Sequence, residues 1–340
     1  MLKISLDRWN YVPADRKYES DGHKFICIES ERRRFEEVEI CRTEVAPAYG
    51  MLTVEAPWEG SNNLKPWAFQ VTAVIPTINS PETLPYCVEL LRLQTLRPYI
   101  IIIDTGSREE NLKETEKLWD QDVEVHSLRL NGVRHPSDFP AMAMELGFAV
   151  CRSEYLFATH ADCYLRRRDF IEHLLGLCKT KSPAVGYELS PRAHKDWEGM
   201  LSHTASMYHV PTMDRIGFGW SLRRLCNRFN IVDYKPDPMR PNWPDTEILG
   251  NYIMQENGIT PYLIGEEDNG VRTLDENIDH FRSYAAAKMY SPPHFDKARL
   301  WFDEAKSEAE ARIDQWRLEA QKCPPKRTLE LKTPNNKLST

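Results

Sequence analysis

FQVTAVIPTINSPETLPYCVELLRLQTLRPYIIIIDTGS, residues 69–107, decides the fold. It opens with a largely apolar run that stops at Pro76 and Thr77. Residues 81–94, PETLPYCVELLRLQ, then space their apolar side chains three and four apart, the period of a helix with one buried face. PYIIIIDTGS, residues 98–107, is a second run dominated by β-branched residues, which suit a strand covered on both faces. The order is β-α-β, and strands joined through a helix in this way lie parallel.

Moving toward the C-terminus, the alternation continues through NLKETEKLWDQ (helix), VEVHSLRL (strand), FPAMAMELGFAVCR (helix) and EYLFATHAD (strand). A helix around 168–178 and a strand at PAVGYEL follow. The expected fold class is therefore α/β, with a Rossmann-like, mostly parallel sheet, helices on both faces and ligands at the carboxyl ends of the strands. Between Ser190 and Pro244 the pattern loosens into a segment rich in Pro, Trp, His and Arg, which reads as a substrate-covering region. DTEILGNYIMQENG resumes as a helix stopped by Gly258, and PYLIG as a strand.

DKARLWFDEAKSEAEARIDQWRLEAQ reads as a charged helix packed by Leu300, Trp301, Ile313 and Trp316. On the N-terminal side, KFICIES, FEEVEIC and GMLTVEAPW form a small β-rich portion. The expected organisation is an N-terminal extension at 1–66, a main domain at 67–285, a helical extension at 286–323 and a disordered tail at 324–340.

A chain of 340 residues with 41% hydrophobic residues can bury a large core, and a net charge of -7 offers no global field for a polyanion. Eight cysteines without CxxC spacing fit a reducing, cytoplasmic-type compartment. MLKISLDRWNYV breaks into charge early, and no window holds about 18 uninterrupted apolar residues. The expectation is a protein with no secretory signal or transmembrane span, whose membrane contact, if any, is peripheral. No GxGxxG follows the first strand, and GxxxxGK[ST], GxSxG and HExxH are missing, so a diphosphate would need metal and basic side chains.

Strand ends are where side chains leave the core of such a sheet. The first strand delivers Pro76 and Thr77, and the second delivers Asp104, Thr105, Gly106 and Ser107. An acid there can accept from a nucleobase N–H or a ribose hydroxyl; the alternative is that Asp104 caps the following helix. In His160-Ala161-Asp162 an extended chain turns the imidazole and the carboxylate to one side, with Ala161 pointing away. That is ligand spacing for Mn2+ or a similar ion; the alternative is a buried His donating to a carbonyl while Asp162 caps the next turn. The basic runs RRR (166–168) and SLRRLCNR (221–228) either neutralise an anion or form solvated faces, and Trp220 and Trp243 either stack on a sugar or pack the core.

Taken in order, VTAVIPTINSPETLPYCVELLRLQ, IIIIDTGSREEN, AMELG with EYLFATHADCYL, and WPDTEILGNYIMQENGI resemble the family 2 type of glycosyltransferase with the GT-A fold, over about residues 68–285. The resemblance implies an inverting transfer of a sugar from a nucleoside-diphosphate sugar, with a UDP-sugar favoured, to an acceptor hydroxyl. It places the nucleotide against Pro76, Thr77, Asp104, Ser107 and Ala161, with Arg282 in the late loop NIDHFRS. The cation, Mn2+ or Mg2+, falls to Asp162, His160 and His280. His160 stands where the family has a carboxylate, and Met144 and Glu145 replace its usual Arg-Asn pair. Asp245 falls on the family's catalytic base, with Glu247 as the second candidate. The rival readings are a nucleotide-sugar or carbohydrate-binding protein of the same fold, and a nucleotidyltransferase.

Overall fold

A computed structural model describes residues 2–5, 24–27, 36–39, 51–55, 69–130, 137–151, 153–190, 197–228, 245–267, 272–281 and 292–328, the first four segments as backbone only. A nine-stranded sheet runs in the order β1-β4-β7-β6-β5-β8-β11-β10-β12. Its centre is β5 (Val71–Thr77), β6 (Tyr99–Asp104), β7 (Val123–Leu130) and β8 (Tyr155–Ala158), all parallel. Helices α1 (Leu84–Arg92), α2 (Glu109–Glu116) and α3 (Asp138–Val150) make the crossovers. All six residues of β6 are buried, as a strand covered on both faces requires. Only β4 (Met51–Glu55) and β11 (Ser206–His209) run against the rest of this sheet, so it is α/β and mostly parallel.

The N-terminal strands β1 (Leu2–Ser5) and β4 extend that sheet beyond β7, while β2 (Lys24–Cys27) pairs with β3 (Glu36–Glu39). On one face, α3 lies so close to β5 that a Cβ on Gly147 would meet Val74 Cγ1 at 2.2 Å. That glycine belongs to the AMELG stretch.

The segment expected to be irregular holds structure. β11 inserts between β8 and β10 (Ala184–Glu188), and α5 (Val210–Arg215) and α6 (Leu222–Arg228) follow it. SMYH is only four residues long, too short to show a period among its Pro-, Trp- and Arg-rich surroundings. A small sheet, β13 (Thr273–Leu274), β14 (Ile278–His280) and β9 (Cys163–Leu165), sits beside the main one. The remaining elements are α4 (Phe170–Thr180), α7 (Ile248–Glu256), β12 (Tyr262–Glu266) and α8 (Pro292–Lys322).

α8 buries the stripe Ala298, Phe302, Ala305, Ala309, Ile313 and Trp316. Leu300, expected to pack, is exposed because it falls two residues off that stripe. The tail expected to be disordered is tied down where it begins: Lys326 N–H donates to Thr95 O at 2.8 Å and Gln70 N–H to Arg327 O at 3.0 Å. These bonds supply backbone partners ahead of β5 and β6.

Candidate functional site

The carboxyl ends of β5, β6 and β8 open on one edge of the sheet. At the first two, polar groups close on one another. Asp104 is fully buried; its Oδ1 accepts from Gly106 N–H at 3.1 Å and Ser107 N–H at 2.9 Å, and its Oδ2 from the Ser107 hydroxyl. Burial pushes this carboxyl up, against the pull of those same donors. The turn-capping alternative for Asp104 is thus the geometry present, with Gly106 at φ 110° making the bend. Ser107 Oγ also accepts from Asn79 N–H at 2.6 Å, and Asn79 Oδ1 accepts from Arg108 N–H and the Asn111 amide, both at 2.9 Å. These bonds lock the β5 and β6 loops together. Pro76 is half-buried, and the buried Thr77 hydroxyl has no hydrogen-bond partner among the described residues.

Beyond β8 the chain does not stay extended through His160-Ala161-Asp162. It turns: Cys163 N–H donates to His160 O at 3.1 Å, and β9 begins at once. The imidazole and carboxylate still converge, with His160 Nδ1 3.9 Å from Asp162 Oδ1, because the turn wraps both around one point. Ala161 packs into the apolar core. His280 arrives from far along the chain because β14 pairs antiparallel with β9, His280 opposite Cys163, and Phe281 N–H donates to Asp162 O at 3.2 Å. Its Nε2 lies 3.6 Å from Asp162 Oδ1, and Arg272 holds the strand through both oxygens of Asp279 at 2.6 Å.

One donor atom from each of His160, Asp162 and His280 lies within 4.8 Å of the other two. His280 is only 1% exposed, yet neither ring nitrogen has a hydrogen-bond partner among the described residues. Buried polar groups are nearly always satisfied, so an imidazole in this condition beside a carboxylate fits a cation ligand. The buried Glu267, just past β12, puts Oε1 3.7 Å from His280 Nδ1.

The other side of His160 is equally built. His203 Nε2 is 2.5 Å from His160 Nε2, and His203 Nδ1 makes a close contact with Glu247 Oε1. Asn251 brings them together: its amide donates to Leu201 O at 2.8 Å and to Glu247 O at 3.0 Å, while its oxygen accepts from Leu201 N–H at 2.8 Å. Burial disfavours a charged His203, but Glu247, aided by Glu267 and Asp245, outweighs it and raises the pKa. Asp245, just ahead of α7, is less buried than Glu247 at its surface. Burial and the charge of Glu247 push its carboxyl up to about 6, although the Thr246 amide and the Ser137 hydroxyl pull the other way.

Several other residues hold structure. Arg167 pairs with Asp169, and Arg168 donates to Leu93 O at 3.0 Å and Cys323 O at 2.8 Å, so the basic run ties α1 to the end of α8. Trp220 is buried in an aromatic cluster with Phe148, Tyr208 and Phe218. Glu145 accepts from Trp220 N–H at 2.5 Å and Ser221 N–H at 2.8 Å, anchoring the start of α6. Arg282 and Trp243, and the side chains of Arg223 and Arg224, lie outside the described residues.

Sequence reasoning misses both His203 and Glu267. Glu267 follows the end of β12, so strand-end reasoning applied there would have found it. His203 precedes β11, a strand without a recognisable pattern, and carried no signal.

Residues 72–226 match the model of Glycosyl transferase family 2. That stretch, somewhat under half of the chain, is similar to the family 2 glycosyl transferases. The match covers β5 through α6 and contains His160, Asp162 and His203, while Asp245 and His280 lie beyond it. Glycosyl transfer is the reaction class the family supports.

Among solved structures, the chain is similar to TarS 1-349 of S. aureus in complex with UDP, at 15% identity and TM-score 0.36, covering 45% of this chain and 51% of that one. It is also similar to the mannosyltransferase PcManGT of Pyrobaculum calidifontis in complex with GDP-Man and Mn2+, at 12% identity and TM-score 0.38, covering 76% and 83%. A third is glucosyl-3-phosphoglycerate synthase of Mycobacterium tuberculosis with phosphoglyceric acid, at 12% identity and TM-score 0.30, covering 42% and 57%. The chain spans about half or less of the TarS structures it matches. No curated protein matches it. No helix among the described residues is long and apolar enough to cross a membrane.

Proposed function

We propose that the protein is an inverting glycosyltransferase that moves a sugar from a nucleoside-diphosphate sugar, a UDP-sugar in preference, to an acceptor hydroxyl. The observation that carries the reading is the meeting, at one sheet edge, of the His160–Asp162–His280 group with the Asp245–Glu247 pair, joined through His203. The nucleoside lies against Pro76, Thr77 and the turn at Asp104–Ser107, with the diphosphate toward Asp162. In this reading residues 67–285 are the transferase unit and 1–66, 286–323 and 324–340 are appendages.

Asp245 is the base. Glu247 is engaged by His203, whereas Asp245 is the more accessible acid, and a carboxyl pushed up to about 6 is ionised at neutral pH yet more basic than an ordinary aspartate. It takes the acceptor's O–H proton as that oxygen bonds to the anomeric carbon. The bond from that carbon to the diphosphate oxygen breaks on the opposite face, inverting the centre through an oxocarbenium-like state. His160, Asp162 and His280 would hold a divalent cation such as Mn2+, which when bound supplies positive charge against the departing diphosphate.

Thermal shift with a panel of nucleoside diphosphates, with and without Mn2+, tests the binding half. Selective stabilisation by one diphosphate, larger with Mn2+, is expected from linkage. Formation of UDP from a UDP-sugar tests the chemistry. Stabilisation without any turnover favours the binding-protein reading instead, and stabilisation by none of the panel removes both.

A further inference from the structure

The acid that the family resemblance implies at position 160 is an imidazole here, which ligates a cation only if the nitrogen facing the site is bare. We propose that His203, gripped by Glu247, is a positioning residue: it fixes His160 in the tautomer that presents Nδ1 to Asp162 and His280, completing a centre of two imidazoles and one carboxylate for a first-row transition ion. The inference rests on the cation site proposed above.

The two Nε2 atoms of His160 and His203, 2.5 Å apart, share one hydrogen. A cation on His160 Nδ1 leaves that hydrogen on His160 Nε2, so His203 Nε2 accepts it and His203 Nδ1–H donates to Glu247. A metal-bound histidine backed in this way is oriented and made more basic by its outer partner.

The turn that carries His203 is firmly held. Asn251 clamps Leu201 to the start of α7, Ser206 Oγ donates to Ser202 O at 2.6 Å, and Ala205 is kept at φ 48°, a conformation that persists only where surroundings impose it. Glu267 flanks His280 on its Nδ1 side at 3.7 Å, while His160 is backed by His203 and, through it, by Glu247. Two nitrogen donors and one oxygen favour Mn2+, Fe2+, Co2+ or Zn2+ over Mg2+, which prefers oxygen ligands and retains its waters.

The test is titration calorimetry of the full chain with Mn2+, Co2+ and Mg2+, together with the visible absorption of bound Co2+. Wild type is compared with His203→Ala, His203→Asn and His203→Gln, with His160→Ala and Asp162→Ala as references and metal-free circular dichroism to confirm folding. Wild type should bind Mn2+ and Co2+ in preference to Mg2+. His203→Ala should weaken Mn2+ binding about 10–100-fold and shift the Co2+ bands. Gln, whose amide oxygen can still accept from His160, should recover part of the loss. His203→Asn, too short to span the gap, should behave like Ala and is read in its place if Ala does not fold.

Unchanged affinity and bands in folded His203→Ala or His203→Asn, with binding lost in His160→Ala and Asp162→Ala, would overturn the role of His203 and leave the cation site standing. If wild type binds neither Mn2+ nor Co2+, both fall. Binding of Mg2+ as tight as that of Mn2+ would overturn the imidazole-selected centre.

Discussion

At the β5–β6 end of the carboxyl edge, Asp104, Ser107, Asn79 and Asn111 spend their hydrogen bonds on one another. At the β8–β12 end, His280 is buried with neither nitrogen hydrogen-bonded among the described residues, and His160, His203 and Glu247 form a directed chain. Both ends are polar and each carries a buried titratable group, Asp104 at one and His280 at the other, so burial alone does not mark function. The first end is a finished network whose bonds fix two loops. The second holds a buried imidazole, His280, whose nitrogens find no hydrogen-bond partner among the described residues, and a fold retains such a group at a cost of roughly 1–3 kcal/mol unless something binds there. Substitutions should therefore act on chemistry and ligands at the second end, and on stability at the first.

Asp245→Asn should show the largest effect. Removing the proposed base is expected to lower the turnover of sugar transfer about 10²–10⁴-fold while leaving calorimetric donor binding unchanged. Loss of donor binding instead would move Asp245 out of the base role. The next largest is at His280, where His280→Ala should abolish measurable Mn2+ binding by calorimetry and, because an unsatisfied buried imidazole is removed, leave the melting temperature unchanged or higher. A marked loss of stability with intact Mn2+ binding would make His280 a core residue.

The legibility of the two ends differs for physical reasons. Residues 69–158 follow local rules: buried parallel strands read as apolar runs and amphipathic helices show their period, so β5 through β8 appear in order. His160, Asp162 and His280 stand out because a strand end limits which side chains can reach a ligand, and the family resemblance supplies the distant histidine. What escapes is whatever depends on pairing between distant segments. β11 is four residues without a period, yet it inserts between β8 and β10 and carries His203 to His160. The β9–β14 pairing brings His280 to Asp162 by backbone register, which no local pattern encodes. Asp104 shows the reverse case, since its motif was visible and its carboxylate is turned into its own loop.

The pH dependence sharpens the same contrast with opposite signs for activity and stability. As the proposed base Asp245 must be ionised, and its carboxyl is pushed up to about 6, so turnover should rise with pH through about 6 and then level off. In the unfolded chain the same group loses its proton near its ordinary 3.8. Between those values the folded state binds more protons, so this group's contribution to stability falls as pH rises toward 6. Asp245→Asn should remove both trends, with chemical denaturation at several pH values as the check.

Away from the site, Gly147→Ala forces a methyl against Val74, and α3 and β5 have no room to part without disturbing the core. A loss of about 1–3 kcal/mol in denaturant unfolding is expected, with Mn2+ affinity unchanged. Loss of metal binding with no loss of stability would show that α3 reaches the site directly.

Ser107→Ala should have the smallest effect, and it tests the closed end alone. The hydroxyl donates to Asp104 Oδ2 and accepts from Asn79 N–H, so its loss removes one charge-assisted bond and leaves an amide to find water. Asp104 keeps its two backbone donors, which hold the turn. Because the loop lies at the surface and water can replace the hydroxyl, about 1–2 kcal/mol of stability is expected to go, with a modest weakening of nucleoside diphosphate binding and no change in Mn2+ affinity. A drop in donor affinity as large as that from losing Asp162 would mean that the β5–β6 loops recognise the ligand through Asp104 itself. The finished network would then be a resting arrangement that opens when the nucleotide arrives.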